Sequence, residues 1–384
     1  MSRSTVPVFL AAVLFHCLLL LLPGESLTTA SSDVEALKAF RSSIDTATIA
    51  PYSCLGSWNF TAGDPCSLPR LTNFVCGLTC SGNRVTRVVL DGFGYSGTLT
   101  PFISNLTYLI TLNLQNNKFY GPIPAALFSL PNLQHLILRA NSFSGSVPPS
   151  VAMIKSLQLL DLSSNSLSGS LPVSLNSLSS LIKLDLSFNR LTGWIPPLPP
   201  TLIEIALKSN SLSGSLQKSS FNGLTQLEVI ELSNNSFAGA LEPWLFRLPA
   251  LQQVNLANNR FTGIAVERPG KVNTGLVAVD LGYNSIQGYL PENFAYYPSL
   301  SSLSLRYNRL RGTIPPQYGK QPSLRRLFLD GNILKGSPPA GLFSSVWHHN
   351  VTGSLGDNCL QQCPRDSELC FKPQKPASRC RGQI

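Results

Sequence analysis

The chain has 384 residues, 43% of them hydrophobic and only 12% charged, with a formal net charge of +10. So apolar a composition excludes a disordered chain. With just His135, His348 and His349 beyond residue 30, it leaves little material for a histidine-based catalytic or metal centre.

Residues 1–30 read as a secretory signal: Arg3 supplies the basic start, residues 8–22 the apolar core, and Pro23-Gly24 the break before small residues at Thr28 and Ala30. The apolar run is short for a membrane span of roughly 20 residues, lacks a basic flank after it, and has no counterpart downstream. A secreted chain without a transmembrane span is therefore expected. In that setting the basic balance favours an acidic extracellular polymer and makes nucleic acid implausible as a partner.

Residues 31–84 form the next segment. Asp33-Val-Glu-Ala-Leu37-Lys-Ala-Phe40 predicts a short amphipathic helix with Asp33 as its N-cap, followed by Trp58 and four cysteines, Cys54, Cys66, Cys76 and Cys80.

From residue 85 to 345 one pattern recurs: an apolar residue, others at +3 and +5, and an asparagine at +8. Its eleven starts are Val85, Leu109, Leu133, Leu157, Leu181, Leu202, Leu227, Leu251, Leu276, Leu300 and Leu324, spaced 21 to 25 residues apart. Alternating apolar positions make a short strand with one buried face, and stacked strands give a parallel sheet on the concave side of an arc. Residues at +10, +14, +18 and +21, such as Phe119, Ile123, Leu127 and Leu130, complete the core. The asparagines Asn117, Asn141, Asn165, Asn189, Asn210, Asn235, Asn259, Asn284, Asn308 and Asn332 satisfy backbone groups in the turn off each strand, and glycines at +12 (Gly121, Gly145, Gly169, Gly312) suit a positive φ. The first repeat places Phe93 at the asparagine position.

Residues 346–384 close the stack with Trp347, four more cysteines (Cys359, Cys363, Cys370, Cys380) and a basic tail. Two even sets of cysteines in a secreted chain read as disulfide-bonded caps rather than zinc ligands, each set allowing three pairings. Sequons at Asn59, Asn105, Asn234 and Asn350 mark candidate glycosylation sites.

The segments Phe119-Tyr-Gly121-Pro-Ile123-Pro124, Leu191-Thr-Gly193-Trp-Ile195-Pro196 and Leu310-Arg-Gly312-Thr-Ile314-Pro315, with the leader elements Glu35-Ala36-Leu37, Ser57-Trp58-Asn59 and Asp64-Pro65-Cys66, resemble those of plant extracellular leucine-rich repeat proteins. That group includes receptor-like proteins, receptor-kinase ectodomains and polygalacturonase-inhibiting proteins. The resemblance implies an α/β repeat fold, a right-handed leucine-rich repeat solenoid of about eleven repeats with a concave parallel β-sheet and a cysteine-containing cap at each end. It departs from the group's pattern at residues 67–75, at Pro196–Pro200 in the fifth repeat and at residues 264–275 in the eighth.

Function should then sit on side chains at +1, +2, +4, +6 and +7, which repeat as columns across the concave face. A first candidate is the aromatic and arginine cluster Tyr283, Arg306, Tyr307, Arg325, Arg326 and Phe328, the residue types of binding hot spots. A second is the acidic stripe Asp161, Asp185, Glu231 and Asp280. A glycan on Asn234 would crowd the middle of this face.

No nucleophile elbow, phosphate loop or metal-binding helix occurs, so neither enzyme activity, cofactor nor metal is expected. The expected function is binding of an extracellular peptide or protein, in partnership with a membrane receptor kinase. Inhibition of a polygalacturonase-type enzyme, or a structural role on pectin, are the alternatives. The irregular fifth and eighth repeats are expected to disturb a concave inhibitor face.

Overall fold

A computed structural model describes residues 28–61, 64–66, 76–270, 275–343, 351–364 and 366–380. Residues 1–27 of the expected signal, the departure at 67–75, Trp347, His348, His349 and the Asn350 sequon lie outside the described residues.

The repeats stack as expected. Among the described residues, twelve parallel strands, from Arg84–Val89 through Thr111–Asn113 to Thr352–Ser354, follow one another in register, and Leu78–Ser81 pairs antiparallel with the first. Within each strand the middle apolar residue is buried, as in Leu159–Asp161 and Val229–Glu231. The sheet runs one strand past the eleven repeat starts. In that last strand Gly353 stands opposite Leu327, where a Cβ would lie 2.0 Å from the Leu327 carbonyl oxygen.

Opposite the strands the chain returns through single 3-10 turns such as Pro101–Asn105, Ala125–Ser129 and Val173–Ser177. Between lies a continuous core in which phenylalanines stack from cap to repeats. Phe40 meets Phe119 at 5.9 Å, and Phe119 meets Phe143 at 6.2 Å.

A second set of strands, unannounced by the repeat pattern, begins just after the asparagine turns. Eight of them, from Ser96–Thr98 to Arg260–Ile264, form one lateral sheet, and four more, from Gln287–Tyr289 to Cys359–Leu360, form another. The gap falls at the irregular eighth repeat. There the chain is held instead by Tyr297, whose buried hydroxyl donates to the carbonyls of Phe246 and Glu267, and by Asn293, which donates to that of Val266.

The concave sheet passes both irregular repeats without a break, pairing Lys183 with Glu204 and Gln253 with Ala278. The expected disturbance of that face is thus corrected: the shortened fifth repeat loses its return turn, not its strand.

Each buried asparagine ties two repeats together. Asn189 accepts from the Leu167 amide (2.9 Å) and donates to the Leu162 carbonyl (3.0 Å) in the preceding repeat, while bonding Leu186 and Ser187 (3.1 and 3.2 Å) in its own. Asn358 does the same for the last repeat. In the first repeat Phe93 is exposed, and Asn117 from the second repeat accepts from Gly94 and Tyr95.

The N-terminal helix, Ser31–Ser42, buries Ala36, Leu37 and Phe40. Asp33 is not its N-cap, a position held by Ala30 without a side-chain bond. Its wholly buried carboxylate instead pairs with Arg84 at 2.9 Å and accepts from the Val85 amide at 2.8 Å, fastening the cap to the first strand. Removing one partner of such a pair typically costs about 3–5 kcal/mol. Cys54–Cys76 and Cys66–Cys80 cross within this cap, and Cys359–Cys380 encloses Cys363–Cys370 in the other.

Asn189→Ala should lower unfolding stability by about 3 kcal/mol, because backbone groups in two repeats lose their partner at once. A urea titration showing a loss below about 1 kcal/mol would contradict that role. Burial also pushes the Tyr297 hydroxyl up from 10.0 to about 12. The folded value is the higher, so its contribution is intact below pH 10.0 and disappears as pH rises toward about 12. Phenolate absorbance should therefore show a late component behind the exposed tyrosines, to which the buried Tyr95 and Tyr318 also contribute, and Tyr297→Phe should remove from it one phenol titrating at about 12.

Candidate functional site

The acidic stripe forms but serves the turns. Asp161 accepts from the Ser163 amide (3.1 Å) and hydroxyl (2.6 Å), Asp185 from the Ser187 amide (2.9 Å), and Asp280 from the Gly282 amide (2.9 Å). Glu231 accepts from the Ser233 amide and hydroxyl, and from Asn255 at 2.8 Å. Asn113 and Asn255 make the same bond at the same offset, so this position selects a side-chain acceptor because the strand leaves the amide two residues on without a ladder partner. Asp161 and Asp185 are register neighbours, while Ala206, nearly buried, separates them from Glu231.

The C-terminal cluster assembles more fully. Tyr283 and Tyr307 stack with centroids 4.7 Å apart at an interplanar angle of 15°. Both occupy left-handed backbone, with φ of 57° and 49°, a strain of about 1–2 kcal/mol for a residue other than glycine. Ring stacking offsets part of it. The Arg306 guanidinium lies 4.8 Å from the centre of the Phe328 ring and pairs with Asp330 at 3.2 Å. Burial opposes its charge, but the bond to Asp330 and the nearby carboxylate and tyrosines outweigh that and raise its pKa.

Two members of this cluster escape sequence reasoning. Asp330 is almost wholly buried between Arg306 and Lys372. Lys372, reaching back from the C-terminal cap, donates to the Tyr307 hydroxyl at 2.5 Å and lies 4.7 Å from its ring centre. The hydrogen bond to Tyr307, ahead of that to Asp330, raises the Lys372 pKa against the opposing effect of burial. Opposite charges at equal offset in adjacent repeats, Arg306 and Asp330, are the signal that could have revealed the pair. Nothing local marks Lys372.

Between these features the concave face sinks into a groove of about 520 Å³ across five strands, from Val229–Glu231 to Arg326–Phe328. Its depth comes from small side chains: Ala257, Ala278, Ser302 and Ser304 line it, and at Gly282 a Cβ would fall 2.9 Å from Arg306 and 3.1 Å from Asp280. Glu231 and Asp280 give it an acidic side, Arg306 and Arg326 a basic one, and Tyr283 and Phe328 supply aromatic walls.

The two candidate sets therefore meet in one groove. Asp161, Asp185 and Arg325 stay outside it, Arg325 turning onto the carbonyls of Pro322 and Leu324, and Tyr307 lies behind Tyr283. Arg326 is exposed and its guanidinium has no ion-pair or hydrogen-bond partner among the described residues. The Ser304 hydroxyl is buried and likewise unpartnered.

Asn234 is exposed in the turn that follows the strand Val229–Glu231 at the groove's start, so a glycan there would flank it. Asn59 and Asn105 are exposed away from it. No helix among the described residues is long and apolar enough to cross a membrane. Among the described residues, the one cluster of potential metal ligands, Cys54, Cys76 and Asp91, has its two sulfurs joined in a disulfide.

Leucine-rich repeat family models match residues 200–261 and, repeat by repeat, 108–130, 132–153, 156–178, 180–202 and 299–320. The chain is 42% identical over 69 residues to Receptor like protein 27 of Arabidopsis thaliana, a stretch covering 18% of this chain and 8% of that protein. Among solved structures it is similar to the PEPR1–AtPEP1 complex, with a TM-score of 0.76 and 30% identity over 86% of this chain and 46% of that one. It is also similar to the plant peptide hormone receptor RGFR1 in complex with RGF2, at a TM-score of 0.63 and 33% identity over 69% and 42%. The chain thus spans less than half the length of these relatives.

The Tyr307 ring rests on Gly331, where a Cβ would approach to 2.6 Å. Gly331→Ala should displace the ring and cost at least about 1 kcal/mol more than Gly288→Ala. Gly288 also has positive φ but open space around it. Equal unfolding midpoints for the two variants, with unchanged near-ultraviolet dichroism, would show that the stack does not depend on this glycine.

Proposed function

From a chain that is a leucine-rich repeat solenoid with relatives among the plant receptor-like proteins, we infer an extracellular recognition module that holds a peptide or protein segment in its concave groove. The observation that carries this reading is the groove's combination of features: an unpartnered cation, an unpartnered buried hydroxyl, two aromatic walls and an acidic side. Groups without protein partners are stabilised by a ligand that supplies them, and exposed aromatics beside arginine are the residue types on which binding energy concentrates.

The likeness to a peptide hormone receptor in complex with RGF2, and to PEPR1–AtPEP1, supports a peptide as the occupant. Five strands about 4.8 Å apart span roughly 19 Å, enough for an extended segment of about six residues. In this reading the module binds and releases its ligand unchanged, and presents it to a membrane receptor kinase. The acids at +4 are occupied with turn amides, which suits them to shaping the groove and not to general acid–base work. Inhibition of a polygalacturonase would use the same open face, which the irregular repeats leave continuous.

Tyr283→Ala combined with Arg326→Ala tests the reading, because both side chains line the groove and neither carries the core. Each truncation should weaken capture of peptides from extracellular extract by about thirtyfold, the hot-spot scale of about 2 kcal/mol. The stability should fall only by what the Tyr283–Tyr307 stack contributes, about 1 kcal/mol, leaving the fold intact. Capture profiles identical to wild type would overturn the assignment, and suppression of polygalacturonase by wild type but not by the variant would shift it to the inhibitor.

A further inference from the structure

The break in the lateral sheets leaves Gln287–Tyr289 as an edge strand and exposes a site on a face well away from the groove lining. Tyr289 is 70% exposed. One side of its ring lies over Gly312, where a Cβ would come within 2.6 Å, so the absent side chain gives the ring a flat bed. The Arg311 guanidinium sits 5.5 Å from the ring centre.

Beside this platform is a pocket of about 200 Å³ lined by Tyr289, Arg311, Lys335 and the Cys359–Cys380 disulfide. Among the described residues, no acidic side chain lines it. Arg311 and Lys335 are exposed and form no ion pair among the described residues. The two cations are thus uncompensated, held on neighbouring, paired strands of one sheet. Arg247, Arg306, Lys183 and Lys372 have acidic partners, whereas Lys118 and Arg190 on the longer lateral sheet, like these two, have none among the described residues.

We propose that this lateral pocket binds a uronic acid residue of an acidic polysaccharide, with the sugar ring against Tyr289 and its carboxylate between Arg311 and Lys335. A pyranose presents a face of C–H groups that packs on an aromatic ring, and a planar guanidinium accepts a carboxylate in bidentate fashion. A peptide carboxylate would use the two cations but not need an open ring beside them. The site is independent of the concave groove, and the net charge of +10 draws polyanions to the surface without selecting where they settle.

The test uses the full chain and short galacturonan oligomers, de-esterified or fully methyl-esterified. De-esterified oligomers should bind wild type, and esterified ones roughly tenfold more weakly or worse. Arg311→Gln with Lys335→Gln, and separately Tyr289→Ala, should each lose roughly tenfold in affinity. Lys118→Gln with Arg190→Gln removes the same charge from the longer lateral sheet and should bind as wild type, as should Tyr283→Ala with Arg326→Ala in the groove. Equal losses in the Lys118 and Arg190 variant would overturn the proposal in favour of diffuse attraction. Equal binding of the esterified oligomer, or full affinity in Tyr289→Ala, would overturn it as well.

Discussion

The architecture depends on a buried amide side chain that bonds two turns at once. A strand of three residues cannot satisfy the backbone groups where the chain leaves it, and those groups are buried by the next repeat. At each such corner an asparagine accepts from one repeat and donates to both, as Asn141, Asn165 and Asn332 all do. No other side chain of that size offers two donors and an acceptor. The repeat length can therefore vary, and the fifth can lose its return turn, while strand registration persists.

Registration turns sequence offsets into columns, and columns make surfaces. Where the columns hold small side chains the concave face deepens into the groove, and where they hold Tyr283, Arg306 and Phe328 it gains walls. The residue before each asparagine adopts left-handed backbone in nearly every repeat, including Phe188, Tyr283 and Tyr307. That position selects against bulky residues, so tyrosines there are retained against local strain. Their stacking, and the lysine beyond them, tie the groove's edge to the C-terminal cap.

The concave sheet, the asparagine turns and the capped ends were legible because each rests on a local pattern with a single physical meaning. The last strand was not, since Gly353 replaces its central leucine, although Asn358 keeps the turn. The lateral sheets escaped because their strands, such as Ser166–Ser170, carry hydroxyls and glycine rather than alternating apolar residues. Asp33 was legible as important but not as a partner of Arg84, because the pair spans 51 residues. In the groove, Tyr283, Arg306, Arg326 and Phe328 could be read from their offsets. Ser304 could not, because an unpartnered hydroxyl is a property of surroundings and not of a residue type. Lys372 reaches the site from a segment with no repeat to index it.

The central claim is that the concave groove, and not the face at large, receives the ligand. A photoreactive side chain in place of Ser302, which lines the groove, tests it against the same group in place of His135, seven strands away toward the N-terminal end. After irradiation in extracellular extract, peptide adducts should form at position 302 and be absent at position 135. Adducts at both positions in equal yield, or at position 135 alone, would contradict the account.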